Sequence, residues 1–392
     1  MNNETKQLAK TDIATRALIT VQQHGLFTDE NACLLMVSGG SDSTALAYAA
    51  AQLRDESKVG PMAMIHVNHM LRGEEANSDA AFTSELAALL DIPFFLCEID
   101  IAMEAARSGE NIEAVARRER YLAANEALVS LCQHSSIPLS EGRILTAHTA
   151  DDRIENFYMR SIVGTGPGGF RSMLYRNGPV VRPLLDISRD ELRTFIERRC
   201  DGGCVTLADD KGNLWREDAT NAHTDRFRAY VRHEIVPKAK DWMPQMSTNL
   251  IRSMNLIADE DDMLDEMTSC IIKKDVCPLS VADSDNSPCE MIFSDSDHAQ
   301  GFLLKPSFSH AYLPLQRRAA HRLLKAMLGA DERIDASSVE AVLAGFEADT
   351  ECASRPKSGY VANIQGDLAV SANKKGVRVE LMSEFRRRRN KL

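Results

Sequence analysis

Nothing in these 392 residues approaches the length of an apolar membrane span, and the polar opening from Met1 to Lys10 carries no secretory apolar stretch. A cytoplasmic protein with no membrane partner is therefore expected. Nine cysteines are present, yet no Cys-x-x-Cys pair occurs, and the nearest two, Cys200 and Cys204, are too widely spaced for that motif. Reduced structural thiols are expected rather than a disulfide framework. There is no excess of positive charge: 46 Lys and Arg stand against 57 Asp and Glu, a net charge of −11. That balance excludes a general nucleic-acid coat. No repeat of the solenoid type is visible.

What is present describes a soluble globular chain, with 44% hydrophobic and 26% charged residues. The length suits two or three domains. Positive charge gathers locally at Arg117-Arg118-Glu119-Arg120, across residues 226–232, and in the tail Arg386-Arg387-Arg388-Arg389-Asn390-Lys391. Such clusters suit phosphates of a structured RNA, although a solvated end is an equal reading of the tail.

The most informative segment is Val37-Ser38-Gly39-Gly40-Ser41-Asp42-Ser43-Thr44. The apolar run 32–37 before it reads as a buried strand, and residues 45–51 after it have strong helix propensity. Strand, Gly-Gly turn and helix start together describe a phosphate cradle, because Gly39 and Gly40 admit a close anion and the helix N-terminus favours negative charge. A Walker A loop would carry a lysine here, and none follows; the Rossmann glycine spacing is also missing. Asp42 sits among the phosphate donors, and Mg²⁺ between its carboxylate and phosphate oxygens would remove the repulsion. A plain Ser/Gly turn capping a helix is the bland alternative. The segment resembles the PP-loop of the ATP pyrophosphatase superfamily, which cleaves ATP between the α and β phosphates.

Short apolar runs at 61–66, 94–99 and 143–147 alternate with helical stretches at 43–53, 77–90 and 111–132, which predicts a parallel sheet with helices on both faces. The PP-loop, residues 66–72 and residues 148–155 each follow a strand, so they should meet in one crevice beyond the carboxyl ends. After about Pro237 the pattern becomes helical. Residues 249–272 carry Ile257, Leu264, Met267 and Ile271 on one face and a solvated acidic block, Asp259 to Asp262, opposite. Residues 277–300 read as a loop or hairpin, 315–328 and 336–346 as helices, and 359–380 as hairpins turning at Gly366-Asp367 and Lys375-Gly376.

Further motifs narrow the resemblance. His66-Val67-Asn68-His69-Met70-Leu71-Arg72-Gly73-Glu74-Glu75 follows the second strand, and its two histidines have no partners at metal-ligand spacing. Asn111 to Tyr121, Ala147-His148-Thr149-Ala150-Asp151-Asp152-Arg153-Ile154-Glu155, Gly164 to Phe170, Arg182-Pro183-Leu184-Leu185, Glu217 to Asn221 and Arg232-His233-Glu234 follow in order. Together they resemble the tRNA(Ile)-lysidine synthase family over most of the first 240 residues. The resemblance implies an α/β fold: a parallel-sheet PP-loop domain of the adenine nucleotide α-hydrolase type over 1–237, a mainly helical tRNA-binding domain over 238–350, and a short β-containing C-terminal segment with a basic tail over 351–392.

It also implies a ligase. Such an enzyme uses ATP to adenylate C2 of the wobble cytidine of a CAU-anticodon tRNA(Ile) and releases pyrophosphate. Free L-lysine then displaces AMP, turning AUG reading into AUA reading. A homodimer is compatible with the family. By this resemblance Ser38, Gly39, Gly40, Ser41, Asp42 and Ser43 bind ATP, with Asp42 the Mg²⁺ anchor. Asp152 and Glu155 handle lysine and its proton, with the two roles unassigned between them; helix-dipole carboxylates are the plain alternative. Arg117 and Arg120 contact ATP phosphates or the cytidine, or form a surface stripe. Arg228 and Arg232 serve the active site or tRNA phosphates. Two positions depart from the family: Thr149 stands where a second histidine is usual, and Tyr230 where an arginine is. Two other readings are a PP-loop tRNA thiolase, disfavoured by the lack of Cys-x-x-Cys, and a silent tRNA-binding protein, disfavoured by the intact Asp42, Asp152 and Glu155.

Overall fold

The protein is described by a computed structural model, over residues 12–71, 73–217, 227–279, 301–329, 332–347 and 355–389. Arg72, Arg226 and residues 218–221, 280–300 and 390–391, which belong to segments singled out above, lie outside the described residues. The chain divides into two compact units between Ile257 and Ala258.

In the first unit, β1 (Ala32–Met36), β2 (Met62–Asn68), β3 (Phe94–Glu98) and β4 (Gly142–Leu145) pair in parallel. Two short strands, β5 (Arg176–Asn177) and β6 (Val180–Val181), complete the order β3-β2-β1-β4-β6-β5, with β5 antiparallel at the edge. Alternation along β1 feeds two cores. Ala32 and Leu34 pack with Ala124 and Leu128 on one face, while Cys33 and Leu35 pack with Ala45, Leu46 and Ala49 on the other. The helices are α1 (Ile13–His24), α2 (Ser41–Asp55), α3 (Glu74–Leu89), α4 (Ile101–Ser108), α5 (Ile112–His134), α6 (Ala150–Val163) and α7 (Arg189–Asp201). Every position from 45 to 51 of α2 is buried. Its alanines keep the helix narrow enough for α1 and α7 to pack against it.

Strand order places the functional crevice. β2 and β3 lie to one side of β1 and β4 to the other, so the connections part between β1 and β4 beyond their carboxyl ends. α2 leaves β1 there and α6 leaves β4 there. A third segment reaches the crevice through α8 (Phe227–Tyr230), a π-helical turn (Val231–Ile235) and α9 (Val236–Trp242). Ile154 of α6 packs with Val231, Val236 and Met254 and fixes that segment to the domain.

The long helix α10 (Met246–Asp275) runs across the division at Ile257. In the second unit, β7 (Val276–Pro278), β8 (Gly301–Leu304), β11 (Val361–Ile364), β12 (Leu368–Asn373) and β13 (Gly376–Leu381) form an antiparallel sheet in the order β11-β12-β13-β8-β7. Phe302, Val370 and Val379 meet Leu323, Leu324 and Val342 of α11 (Leu313–Leu328) and α12 (Ala336–Leu343) in its core. The remaining strands, β9 (Phe346–Glu347) and β10 (Arg355–Pro356), pair with each other. The sheet is larger than a terminal segment alone, because β7 and β8 precede the helices. Gly376 has φ +145, and a Cβ there would run into the Leu304 carbonyl, so only glycine permits β13 to start against β8.

Two surface readings change. Asp261 is buried and ion-paired with Arg318, so the acidic block on α10 is not wholly solvated. The described part of the tail belongs to α13 (Met382–Arg389), with Met382 and Phe385 buried and Arg388 held 2.6 Å from Glu380, so it is not wholly solvated.

Candidate active site

The phosphate loop is shaped by its own hydroxyls. Gly39 takes φ +90, a left-handed conformation that favours glycine. The Ser38 N–H donates to Ser43 Oγ at 3.2 Å, Ser43 Oγ donates to the Gly40 carbonyl at 3.1 Å, and Thr44 Oγ1 donates to the Gly39 carbonyl at 3.2 Å. Gly40 caps α2 without a side chain, which leaves the first-turn N–H groups directed at the crevice. Over the loop lies a strap. The Arg216 N–H donates to the Gly39 carbonyl at 2.9 Å, and its guanidinium is anchored by Asp79 and Asp209.

Asp42 does not stand alone. Arg189, the first residue of α7, places Nε 3.0 Å from its Oδ2. Burial raises the Asp42 carboxyl above its ordinary value, with Arg189 partly offsetting the effect. The same guanidinium reaches Asp152 Oδ1 at 3.5 Å and Glu155 Oε1 at 3.8 Å. The Arg189 N–H donates to Asp151 Oδ2 at 2.8 Å, so α7 is tied to the start of α6.

Asp152 and Glu155 sit one turn apart on α6. Asp152 Oδ2 closes a capping box with Thr149, accepting from its N–H at 2.8 Å and its hydroxyl at 3.1 Å. Its other oxygen accepts from Arg228 at 2.7 Å. Burial pushes the Asp152 carboxyl up, but Arg228 and Arg189 outweigh it and hold it below the usual range. Glu155, 2% exposed, is gripped by Arg228 at 2.8 Å and Arg232 at 2.6 Å. Arg232 belongs to the π-helical turn, a local widening often found at functional positions. Thr149 is thus the N-cap of α6, and Tyr230 is half exposed.

These groups surround a cavity of about 1000 Å³, the upper end of small-molecule sites. Ser38, Gly40, Ser41, Asp42, Ser43, Arg117, Arg120, Glu155 and Arg232 line it; Gly39 forms the turn, and Asp152 and Arg228 pair behind the wall. Arg117 stacks over Tyr121 with 5.3 Å to the ring centre, and Arg120 meets His69 Nε2 at 3.1 Å. Desolvation lowers the Arg120 guanidinium below its ordinary value. On the floor, His66 Nδ1 lies 2.9 Å from the Val37 carbonyl and must donate to it, and burial lowers its pKa. His148 is held lower still, at about 4, by burial first and then by the cations Arg182, Arg228 and Arg117, against the opposing pull of Asp152. Its Nδ1 lies 2.9 Å from Thr146 Oγ1.

Arg189, Arg193, Arg216 and His148 line this cavity and were given no role from sequence. The signal for the first two was available. Ser188-x-x-Glu191 is a capping box, realised with Ser188 hydroxyl to Glu191 at 2.7 Å, and it puts Arg189 at the first helical position with Arg193 one turn on. The donor set also fits Mg²⁺. Asp42 offers one hard carboxylate beside a phosphate loop, with Ser41 Oγ 3.1 Å from it. Among the described residues no group of three or more His, Cys, Asp or Glu forms a protein cage. An ion that takes most of its ligands from phosphate and water suits that arrangement.

The chain is 29% identical over 264 residues to the tRNA(Ile)-lysidine synthase of Persephonella marina, covering 67% of this chain and 53% of that protein. It is 33% identical over 243 residues to the enzyme of that name from Thermus thermophilus, covering 62% and 42%. A third such relative, from Caldanaerobacter subterraneus subsp. tengcongensis, is 25% identical over 332 residues, covering 84% and 62%. The chain thus spans roughly half the length of the curated relatives it matches. The sequence profile of the PP-loop domain matches residues 9–239, the span that holds the phosphate loop, both site carboxylates and all three arginines around them, and the chain belongs to the PP-loop domain family.

Proposed function

We propose that the protein is a tRNA(Ile)-lysidine synthase, joining L-lysine to C2 of the wobble cytidine of CAU-anticodon tRNA(Ile) at the expense of ATP. The observation that carries the reading is that a phosphate loop with Asp42 and the arginine-held Glu155 line one cavity large enough for a nucleotide and a base, with Asp152 bound to the same arginine as Glu155. Relatives bearing that name are 29% and 33% identical over 264 and 243 residues of the chain.

In the first step the cytidine C2 oxygen attacks the α-phosphate of ATP and pyrophosphate leaves. The N–H groups at the start of α2 receive the departing phosphates, and Arg193, whose Nε lies 3.5 Å from Ser41 Oγ, adds charge at the same place. Asp42 is the residue to hold Mg²⁺, which when bound neutralises charge on the departing pyrophosphate. In the second step the ε-ammonium of lysine passes a proton to one of Asp152 and Glu155, the neutral amine attacks C2, and AMP leaves as the C2–O bond breaks. Asp152 and Glu155 are the acceptors for the incoming ammonium. Arg117 and Arg120, which line the same cavity, orient the adenylated cytidine. Residues 238–350, which include α10, α11 and α12, engage the tRNA body.

The test is incorporation of labelled lysine, with ATP and Mg²⁺, into transcripts of the CAU-anticodon isoleucine tRNA and of the two methionine tRNAs sharing that anticodon. Lysine should enter the isoleucine tRNA alone, with stoichiometric AMP release, and Asp42→Ala should abolish it. Absence of turnover by folded protein overturns the reading, and sulfur incorporation instead would mark a thiolase.

A further inference from the structure

Among the described residues, Arg189 contacts both halves of the site. It lies 3.0 Å from Asp42 in the phosphate loop, 3.5 Å from Asp152 and 3.8 Å from Glu155 on α6. Its backbone is fixed by Asp151, so the guanidinium can redistribute among these carboxylates while its base stays in place. We propose that Arg189 is a counter-ion shared between a nucleotide-phosphate subsite at Asp42 and an amine subsite at Asp152 and Glu155, so that bound nucleotide opens the amine subsite. This rests on the reading above, that the second substrate is an amine.

The argument is one of charge. Asp42, Asp152 and Glu155 are matched by Arg189, Arg228 and Arg232 through direct contacts. Three carboxylates and three guanidiniums sum to zero, and the two α6 carboxylates are shielded from water, with the Glu155 side chain at 2% and Asp152 at 11% exposure, although Arg228 is 45% exposed. A lysine ε-ammonium entering this neutral cluster would leave an uncompensated positive charge unless a resident cation withdrew. Arg228 and Arg232 are poor candidates to withdraw. Arg228 binds both carboxylates at 2.7 and 2.8 Å, and Arg232 binds Glu155 at 2.6 and 3.1 Å. Arg189 makes the longest contacts to α6 and its shortest to Asp42, so it is the one to move.

Nucleotide supplies the reason for it to move. A Mg²⁺–ATP complex at the loop carries about two net negative charges and takes over Asp42 as a metal ligand. Arg189 then pairs with phosphate oxygens, which present more negative charge than carboxylates already held by two other arginines. Asp152 and Glu155 lose one of three cations and attract an ammonium. By linkage, lysine should strengthen nucleotide binding by the same factor. Ordered addition, with nucleotide before amine, follows without any movement of the backbone.

The experiment is calorimetric titration of L-lysine into the full chain, alone and saturated with Mg²⁺ and α,β-methylene ATP, for wild type, Arg189→Met and Arg189→Gln. The expected result is that nucleotide lowers the lysine Kd of wild type about tenfold, within the usual range of coupling. Either neutral variant should bind lysine with one affinity in both states, and circular dichroism identifies which of them is folded. Nucleotide dependence retained in a folded variant overturns the inference while leaving the proposed function intact. Wild type that binds the nucleotide analogue but no lysine in either state overturns both.

Discussion

Glu155 and its arginines link stability and activity at one residue. Removing its charge leaves Arg228 and Arg232 facing each other without the carboxylate that holds them. Breaking a fully buried pair costs about 3–5 kcal/mol. Arg228 is 45% and Arg232 24% exposed on their side chains, so solvent screening reduces the figure. Glu155→Gln should therefore lose lysine incorporation and about 2 kcal/mol of stability together, read by urea unfolding. Full stability with lost activity would mean that the arginines are held by other contacts. His148 adds a pH signature. Its folded-state pKa is about 4, below the ordinary 6.5, so the unfolded chain takes up the proton first. Its contribution is constant above pH 6.5, and stability is lost as pH falls from 6.5 towards 4, by at most about 3 kcal/mol. The loss of unfolding free energy between pH 7 and pH 5 should be smaller in His148→Gln than in wild type; equal losses would show that the imidazole is solvated.

Three helix N-termini, those of α2, α6 and α7, supply the site, and two of them are closed by capping boxes. On α6 the box also fixes one oxygen of Asp152, so the cap and the candidate catalytic carboxylate are the same group. Thr149→Val removes the hydroxyl and should cost about 1 kcal/mol. It should also reduce activity by more than that loss of folded fraction explains, because Asp152 is released to rotate. Thr149→Ser should restore both, measured by thermal unfolding beside the lysine assay; a stable but inactive serine variant would assign Thr149 a role other than capping. At this scale much could be read from the sequence alone. The β1–loop–α2 unit was visible because local glycines, hydroxyls and an alanine run all agree. Glu155 with Arg228 and Arg232 was visible as a set of residue types, but their pairing joins positions more than 70 apart in the chain, which no local pattern encodes. Arg189 carries no such local signal for the same reason: its capping box marks a helix start, while its carboxylate partners come from two other helices. In the second unit the β11–β13 hairpins were visible through their turns, whereas β7 and β8 are short and find their place only by pairing with β13 and with each other.

At the scale of the whole molecule, a net charge of −11 has to be reconciled with the proposed RNA substrate. The structure shows how much positive charge is already committed. Arg318 is paired with Asp261 and Asp265, and Arg317 with Glu340, so α11 presents less cationic surface than its sequence suggests. On α13, Arg387 and Arg388 are matched by Glu384 and Glu380, which leaves Arg386 and Arg389 as the residues of that helix most suited to a phosphate. Affinity for tRNA should therefore be salt-sensitive but with a shallow slope, since each phosphate neutralised contributes only about 0.7–0.9 to the dependence of log K on log salt. Replacing Arg386 and Arg389 together by glutamine should weaken tRNA binding and flatten that slope by about 1.5, while Arg317→Gln should change neither. The measurement is tRNA binding at graded KCl concentrations. An unchanged slope in the double variant would take α13 out of the tRNA interface, and a slope flattened instead by Arg317→Gln would mean that the Glu340 pair opens when RNA binds.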